Sequence, residues 1–487
     1  MNFFVRFFPE IIIKSREVRN RYIAILRRSL RTQLKLLDPQ ARVDGGWDHL
    51  SITTELRTSA DLEKIVELLT HTPGLDRVMQ IEKFPLSDLD GVVALAVEHN
   101  KEAVAGKSFA VRCKRSGKQH FTSMDVERRV GAALLESAPG SSVKLKDPQV
   151  QVRVDILKDE VAIVKKVYDG LGGYPLGTQD AVLSLISGGF DSTVSSYQCI
   201  KRGLLTHFCF FRLGGAEHEF AVKEVALYLW MKYGASHRVK FVTVPFEDVV
   251  NEIVSKVESS QMGVIFKRMM YRAASGIADK LKVETLITGE SVAQVSSQTL
   301  ANLAIIDRVT DKLVLRPLAM LDKREIIDVA RQIGSEEFVK NIPEYCGVIS
   351  VKPTTRARIE KIERQEELFN NDVLLAAIDN AEIQMIDRVM EGHSKQSKPV
   401  QESSIEDVDS VIIDIRHPDE QEKNPLDSTK FAQEILVIPF YELPARFASL
   451  PSQYKYALYC DKGIMSRLHA SHLQQLGHAN VAVFVAA

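Results

Sequence analysis

Apolar positions change period near residue 180, and the kind of element they predict changes with them. Upstream, alternating runs predict strands in FFVRFFP (3–9) and DHLSITTEL (48–56). Between them Val18, Tyr22, Ile25, Leu26 and Leu30 recur at helical spacing through a basic stretch, 15–37. A second helix, within 61–74, stops at Pro73-Gly74. GKSFAVRCKRSGKQHF (106–121) alternates about Phe109, Val111 and Cys113 with basic residues opposite, and 141–170 carries several short β-runs. The expectation for 1–170 is a small α+β module or a pair of them. From Ala181, strand-like runs at 181–186, 206–213, 238–246, 283–290 and 312–318 are mostly separated by longer helical stretches. That alternation predicts crossover units and a parallel sheet. Residues 391–404 are polar, contain a proline and predict a linker with a flexible reach of about 20 Å. The remainder predicts a compact α/β tail.

Composition alters this picture little. A hydrophobic content of 45%, a charged content of 26% and a net charge of -1 suit an ordinary globular protein. The charge is uneven, however. The first forty residues hold nine basic and three acidic side chains, and residues 101–130 hold eight and three. Two cationic clusters in a near-neutral chain point to nucleic acid. No apolar run approaches the ~20 residues of a membrane span. The apolar start is broken by Arg6, Glu10 and Lys14, unlike a signal peptide. Five scattered cysteines do not form the even framework of a secreted disulfide fold. The expectation is a cytoplasmic protein without a membrane partner, in which a functional cysteine is a reactive one.

The sharpest chemical pattern is LSLISGGFDSTVSS, 183–196. A buried-strand run leads into Gly188 and Gly189, which let backbone N–H groups approach an anion. Ser187, Ser192 and Thr193 add hydroxyl donors, and the following helix points its positive end at the loop. Asp191 is the odd member, because a carboxylate repels phosphate unless a cation or polar group intervenes; a Mg²⁺ bridge would reconcile them. The lysine of the common G-x-x-x-x-G-K-[ST] loop is missing. SGGFDS resembles the pyrophosphate loop of the PP-loop ATPases, which split ATP between the α and β phosphates. The resemblance implies a loop that grips pyrophosphate as leaving group, a task that needs no γ-phosphate lysine.

Two cysteines stand apart. Cys460, in YALYCDKGIMSR, follows a strand and precedes a helix start, with Lys462 and Arg467 adding positive charge. All of this favours a thiolate. The C-x-x-G-x-x-S-R spacing, with Gly463, Ser466 and Arg467, resembles the persulfide loop of rhodaneses. Asp414 and Arg416 in VIIDIR resemble the upstream rhodanese strand. Cys346, in IPEYCGVIS, is expected in a loop near the end of the α/β domain. Cys113, Cys199 and Cys209 sit in apolar patterns and read as core fillers.

Together with RFFPEIIIKS, the THUMP-like FAVRCKRSGKQHF, GVIFKRMMYRAA and TGESVAQVSSQTLANL, these motifs span the chain. In this order they resemble the tRNA sulfurtransferases that make 4-thiouridine, in their long form. The resemblance implies an N-terminal ferredoxin-like module (1–60), a THUMP RNA-binding module (61–167), a doubly wound PP-loop ATPase domain (176–390), the linker and a rhodanese domain (405–487). It implies uridine 8 of tRNA as substrate, with ATP and Mg²⁺ and no dedicated cluster of metal ligands. Nucleotide contacts carry over to Leu185, Ile186, Lys267, Gly289 and Gln298, beside Ser187, Gly188, Gly189, Asp191 and Ser192. Arg112, Lys114, Arg115 and Lys118 become the RNA-binding candidates. A cysteine desulfurase would load Cys460, Cys346 would release the product as a disulfide with Cys460, and a cellular thiol reductant would reopen it. A sulfur-carrier protein for the thiamine thiazole is a second implied partner. The competing reading is a sulfur-carrying RNA-binding scaffold whose ATP loop is idle.

Overall fold

The computed structural model describes residues 1–46, 49–213, 216–340, 342, 353–389, 402–403, 410–416, 418–426, 433–440, 442–460, 466, 469–470, 473–474 and 476–484. The chain divides into two units, Met1–Pro175 and Leu176–Ala487. Cys346, Lys462, Gly463, Arg467 and nearly all of the 391–404 linker lie outside the described residues.

In the first unit, strands β1 (Asn2–Phe7), β2 (Arg42–Gly45), β3 (His49–Thr53), β4 (Leu75–Pro85), β5 (Ser108–Ser116), β6 (Ser142–Val143), β7 (Val150–Leu157) and β8 (Glu160–Asp169) form one sheet. Its order is β2-β3-β1-β4-β8-β7-β5-β6. The helices are α1 (Pro9–Ile12), α2 (Arg16–Leu37), α3 (Ser59–Thr70), α4 (Leu89–Val104) and α5 (Ser123–Ser137). Alternation along β1 sends Phe3, Val5 and Phe7 into a core with Tyr22, Ile23, Leu26 and Leu30 of α2. Phe4 packs separately, with Met79, Ile81, Ala162 and Val164. Helices α4 and α5 bury Val92, Ala96, Val126, Val130 and Leu134 against Phe109, Val111, Val152 and Val154. Capping boxes from Thr58 with Asp61 and from Thr122 with Asp125 start α3 and α5.

The second unit realises the predicted alternation. Strands β9 (Ala181–Leu185), β10 (Leu205–Arg212), β11 (Lys240–Pro245), β12 (Thr285–Ile287), β13 (Leu313–Leu315) and β14 (Glu382–Met385) lie in the order β13-β12-β9-β10-β11-β14. All neighbours are parallel except β14, an antiparallel edge on β11. The helices are α6 (Phe190–Lys201), α7 (Ala216–Leu229), α8 (Glu247–Lys256), α9 (Met262–Leu281), α10 (Leu300–Ile306), α11 (Lys323–Gln332), α12 (Glu336–Val339), α13 (Ile359–Glu366) and α14 (Asn371–Asp379). Helix α9 is apolar on most of its circumference because α8, α10 and α14 surround it, so Phe266, Met269, Ala273 and Ile277 are core. A further parallel sheet, β15-β19-β18-β16-β17, closes the chain. Its strands are β15 (Glu402–Ser403), β16 (Ser410–Asp414), β17 (Ile435–Val437), β18 (Lys455–Tyr459) and β19 (Val481–Phe484), with helices α15 (Pro418–Lys423) and α16 (Leu443–Phe447). No helix among the described residues is long and apolar enough to cross a membrane.

Candidate functional site

Strand β9 is buried on both faces and delivers Ser187, Gly188 and Gly189 beyond its carboxyl end. Gly188 has φ +83°, and a Cβ there would lie 3.0 Å from Ile342 and Val222 side-chain carbons. The backbone conformation favours glycine, and any side chain there would also have to push Ile342 and Val222 aside. The loop is tied to itself: the Ser187 N–H donates to Ser192 Oγ (3.1 Å), which reaches the Gly189 carbonyl (3.2 Å). Gly189 is the N-cap of α6 and offers no side-chain cap. The first-turn N–H groups of α6 are therefore open to an anion.

One cavity lies over this loop. Leu185, Ile186, Ser187, Asp191, Ser192, Lys267, Gly289 and Gln298 all line it. These eight expected residues converge from β9, α6, α9, the loop after β12 and the turn before α10, whereas Gly188 and Gly189, also expected, are not among the lining residues. Gly289 has a packing cause of its own, since a Cβ would sit 2.5 Å from the Asp191 carbonyl carbon. The Gln298 side chain is buried, and its Oε1 has no hydrogen-bond partner among the described residues.

Several lining or bordering side chains have no local sequence signature. Lys323, the first residue of α11, places Nζ 2.8 Å from Asp191 Oδ1, and Gln294 Nε2 donates to Oδ2 at 2.7 Å. The loop that lacks a P-loop lysine in sequence is thus met by a lysine 132 residues downstream. Glu290 anchors the floor. Its Oε1 is 3.4 Å from Lys267 Nζ, and its Oε2 accepts from Tyr271 Oη (2.7 Å) and Arg316 Nε (2.9 Å). Burial opposes the Glu290 carboxylate, but Lys267 and Arg316 outweigh it and hold the carboxyl below its ordinary range. The same site, burial first, pushes the Tyr271 phenol well up. His218 of α7 also lines the cavity, and burial lowers its pKa, with the Ser187 carbonyl opposing.

In the terminal sheet, Cys460 follows β18 at once and is 8% exposed. The Ser466 N–H donates to its Sγ at 3.3 Å, and Ser466 Oγ lies 3.5 Å away. Asp414 and Arg416 form a buried two-point pair, Nε–Oδ1 2.9 Å and Nη2–Oδ2 2.7 Å, with the guanidinium over the Tyr459 ring. Burial raises the other described thiols: Cys113 to about 11, Cys199 to about 12, and Cys209 further up.

The basic candidates separate by strand parity. Arg112 and Lys114 stand opposite Arg153 and Asp155 on β7. Arg6 of β1 reaches Asp155 at 3.8 Å and acts electrostatically on Lys114. The two cationic clusters of the sequence therefore meet around one acid. Burial raises the Asp155 pKa, against Arg6 and Lys114. Arg115 points to the other face and binds Gln119 Oε1 at 2.8 Å, whereas Lys118 is exposed.

The family model described as Thiamine biosynthesis protein (ThiI) matches residues 177–371, and the THUMP domain model matches 87–164. With the sheets described above, they define an α/β protein of the ThiI type that carries a THUMP domain. The tRNA sulfurtransferase of Pseudomonas putida is 49% identical over 484 residues, 99% of each chain. That of Azotobacter vinelandii is 49% identical over 486 residues, again 99% of each. The chain belongs to the tRNA sulfurtransferase family. A crystal structure of a 4-thiouridine synthetase–RNA complex with bound ATP shares the fold, with a TM-score of 0.68 and 24% identity over 79% of this chain and 99% of that one.

Proposed function

We propose that this chain thiolates tRNA, replacing the 4-oxygen of uridine 8 with sulfur. The observation that carries the reading is the cavity at the carboxyl ends of parallel strands, where Ser187, Asp191, Lys267, Gly289 and Gln298 converge. The names of its full-length relatives support it. The residues fit ATP. The open first turn of α6 offers N–H donors to phosphate, Lys267 offers charge, and Gln298 Oε1 suits an amino donor. Bound ATP would activate the uridine oxygen by adenylation, with pyrophosphate leaving. Asp191 would hold Mg²⁺ together with the phosphates, as Mg²⁺ ordinarily binds one or two carboxylates plus substrate oxygens. Among the described residues no group of three or more His, Cys, Asp or Glu side chains could hold a metal alone.

Sulfur arrives on Cys460 as a persulfide from a cysteine desulfurase. Ser466, with Lys462, Gly463 and Arg467, stabilises its negative charge. The terminal sulfur attacks the activated carbon and displaces the activated oxygen, leaving Cys460 bridged to the base. The Cys346 thiolate then attacks Cys460 Sγ, expelling the thiolated base and forming the Cys346–Cys460 disulfide. A thiol reductant supplies two electrons and two protons to reopen it. In this reading 1–60 and 61–167 are the ferredoxin-like and THUMP modules that bind tRNA in the cytoplasm. Residues 176–390 are the PP-loop ATPase, 391–404 the linker and 405–487 the rhodanese domain. The ThiI description supports a second role, sulfur supply to the thiamine thiazole through a carrier protein.

The test is release of AMP and pyrophosphate on adding tRNA, read beside nucleoside analysis of the product. Neither release nor 4-thiouridine would leave the scaffold reading. Cys460→Ser should fail to gain a sulfur atom by mass spectrometry. Cys346→Ser should gain it but fail to turn over repeatedly, held with the base bridged to Cys460, and normal repeated turnover by that variant would remove Cys346 from the mechanism.

A further inference from the structure

Helix α7 carries Phe220, Glu224 and Tyr228 at i, i+4 and i+8, one continuous stripe. Two aromatic residues flank a carboxylate that is only 9% exposed, and a buried charge needs a partner. The partner comes from the terminal sheet domain: His469 Nε2 lies 2.7 Å from Glu224 Oε1, and the imidazole is fully buried. The Phe220 ring stands 5.4 Å from His469 in an edge contact. Phe440, after β17, packs 6.1 Å from His469, 6.4 Å from Tyr228 and 5.2 Å from Phe338 of α12. This is a desolvated aromatic patch with one carboxyl–imidazole contact at its centre, the anatomy of an interface hot spot.

We propose that this stripe is a docking seat for the domain that carries Cys460, and that the seated position is the one from which sulfur is handed to the nucleotide cavity. The proposal rests on the sulfur-relay reading above and adds where the relay stops. Each end of the connection is short. Ser466, which donates to Cys460 Sγ, is three residues from His469. Glu224 is six residues from His218, which lines the cavity, about 9 Å along a helix axis at 1.5 Å per residue. One rigid helix thus joins the cavity to the seat. A donor protein must bring its own bulk up to Cys460, whereas handover to this chain's own cavity needs no second protein. The seat therefore divides the cycle: unseated for loading, seated for handover.

Glu224→Ala tests this in the full-length protein, because it changes the seat and leaves the sulfur-carrying domain's own sequence intact. Hydrogen exchange over 216–229 and over 435–447 should rise together by tenfold or more, while strands 410–414 and 455–459 keep their protection. Loading of Cys460 by a cysteine desulfurase with free cysteine should stay within twofold, as should AMP release on adding tRNA. Repeated tRNA thiolation should fall about tenfold. Glu224→Gln, whose amide oxygen can still accept from Nε2–H, should recover most of it. Unchanged exchange in 216–229 would overturn docking. Thiolation unchanged despite raised exchange, or loading lost in proportion to thiolation, would overturn the handover role. A wild-type protein that releases no AMP would instead sink the adenylation reading, and the exchange arm would still decide whether the seat exists.

Discussion

A methyl group on Gly289 would lie 2.5 Å from the Asp191 carbonyl carbon and 2.7 Å from the Ser192 nitrogen, and backbone cannot step aside. Gly289→Ala should therefore displace the start of α6 and cut AMP formation by about a hundredfold, the scale of a 1 Å misplacement, with tRNA affinity retained. An AMP rate within twofold of wild type would show that the loop can shift freely. His207 is a second single-residue case. The Lys240 N–H donates to its Nδ1 at 3.0 Å, so that nitrogen must be unprotonated. Burial, with Lys240 adding to it, lowers the pKa from 6.5 to about 4. Between these values the unfolded chain binds a proton that the folded chain does not, so stability is complete above pH 6.5 and is lost as pH falls toward 4. The loss is about 3 kcal/mol at most, at 1.36 kcal/mol per pH unit. His207→Gln should flatten urea stability across that window. An unchanged slope from pH 6.5 to 4.5 would place the acid sensitivity elsewhere. The loop 187–192 was legible because glycine, serine and aspartate fall within six positions. Lys323 and Glu290 were not, because their meaning arises only from contacts far along the chain.

Strand β5 was legible as an alternating run, but alternation also divides its basic residues between two faces. Neutralising Arg112 and Lys114 should lower the slope of log K for tRNA against log salt by roughly 0.7–0.9 for each phosphate left without its cation. Arg115→Gln should leave that slope unchanged, since Arg115 is spent on Gln119 and the Gly117 carbonyl. Equal effects from both would mean that strand parity does not govern the RNA face. The parallel sheet was readable because its strands are apolar on both faces and helices intervene. Strand β4 escaped, although it is the longest of its sheet. Both of its faces are covered, Val78 packing into the core with Phe3 and Val5 while Met79 and Ile81 pack with Phe4, so adjacent positions are buried and the period of two is hidden. The seat on α7 has a legible spacing, but nothing local to it announces His469, 245 residues away.

The chain as a whole resolves into two units, each with its own sheets and core. Residues 1–175 expressed alone should fold and lose far-UV circular dichroism in one cooperative transition. Broad, non-cooperative melting would mean that the unit depends on the rest of the chain. The division lies near residue 175 and not near residue 60, because β4 is hydrogen-bonded to β1 on one side and β8 on the other. A truncated chain beginning at residue 61 would strip β1, β2 and β3 from the sheet. It would leave eleven residues of β4 as a naked edge, with Met79 and Ile81 robbed of Phe4. Such a ledge templates strands from other molecules, and the shortened protein should reach the pellet before it reaches any assay.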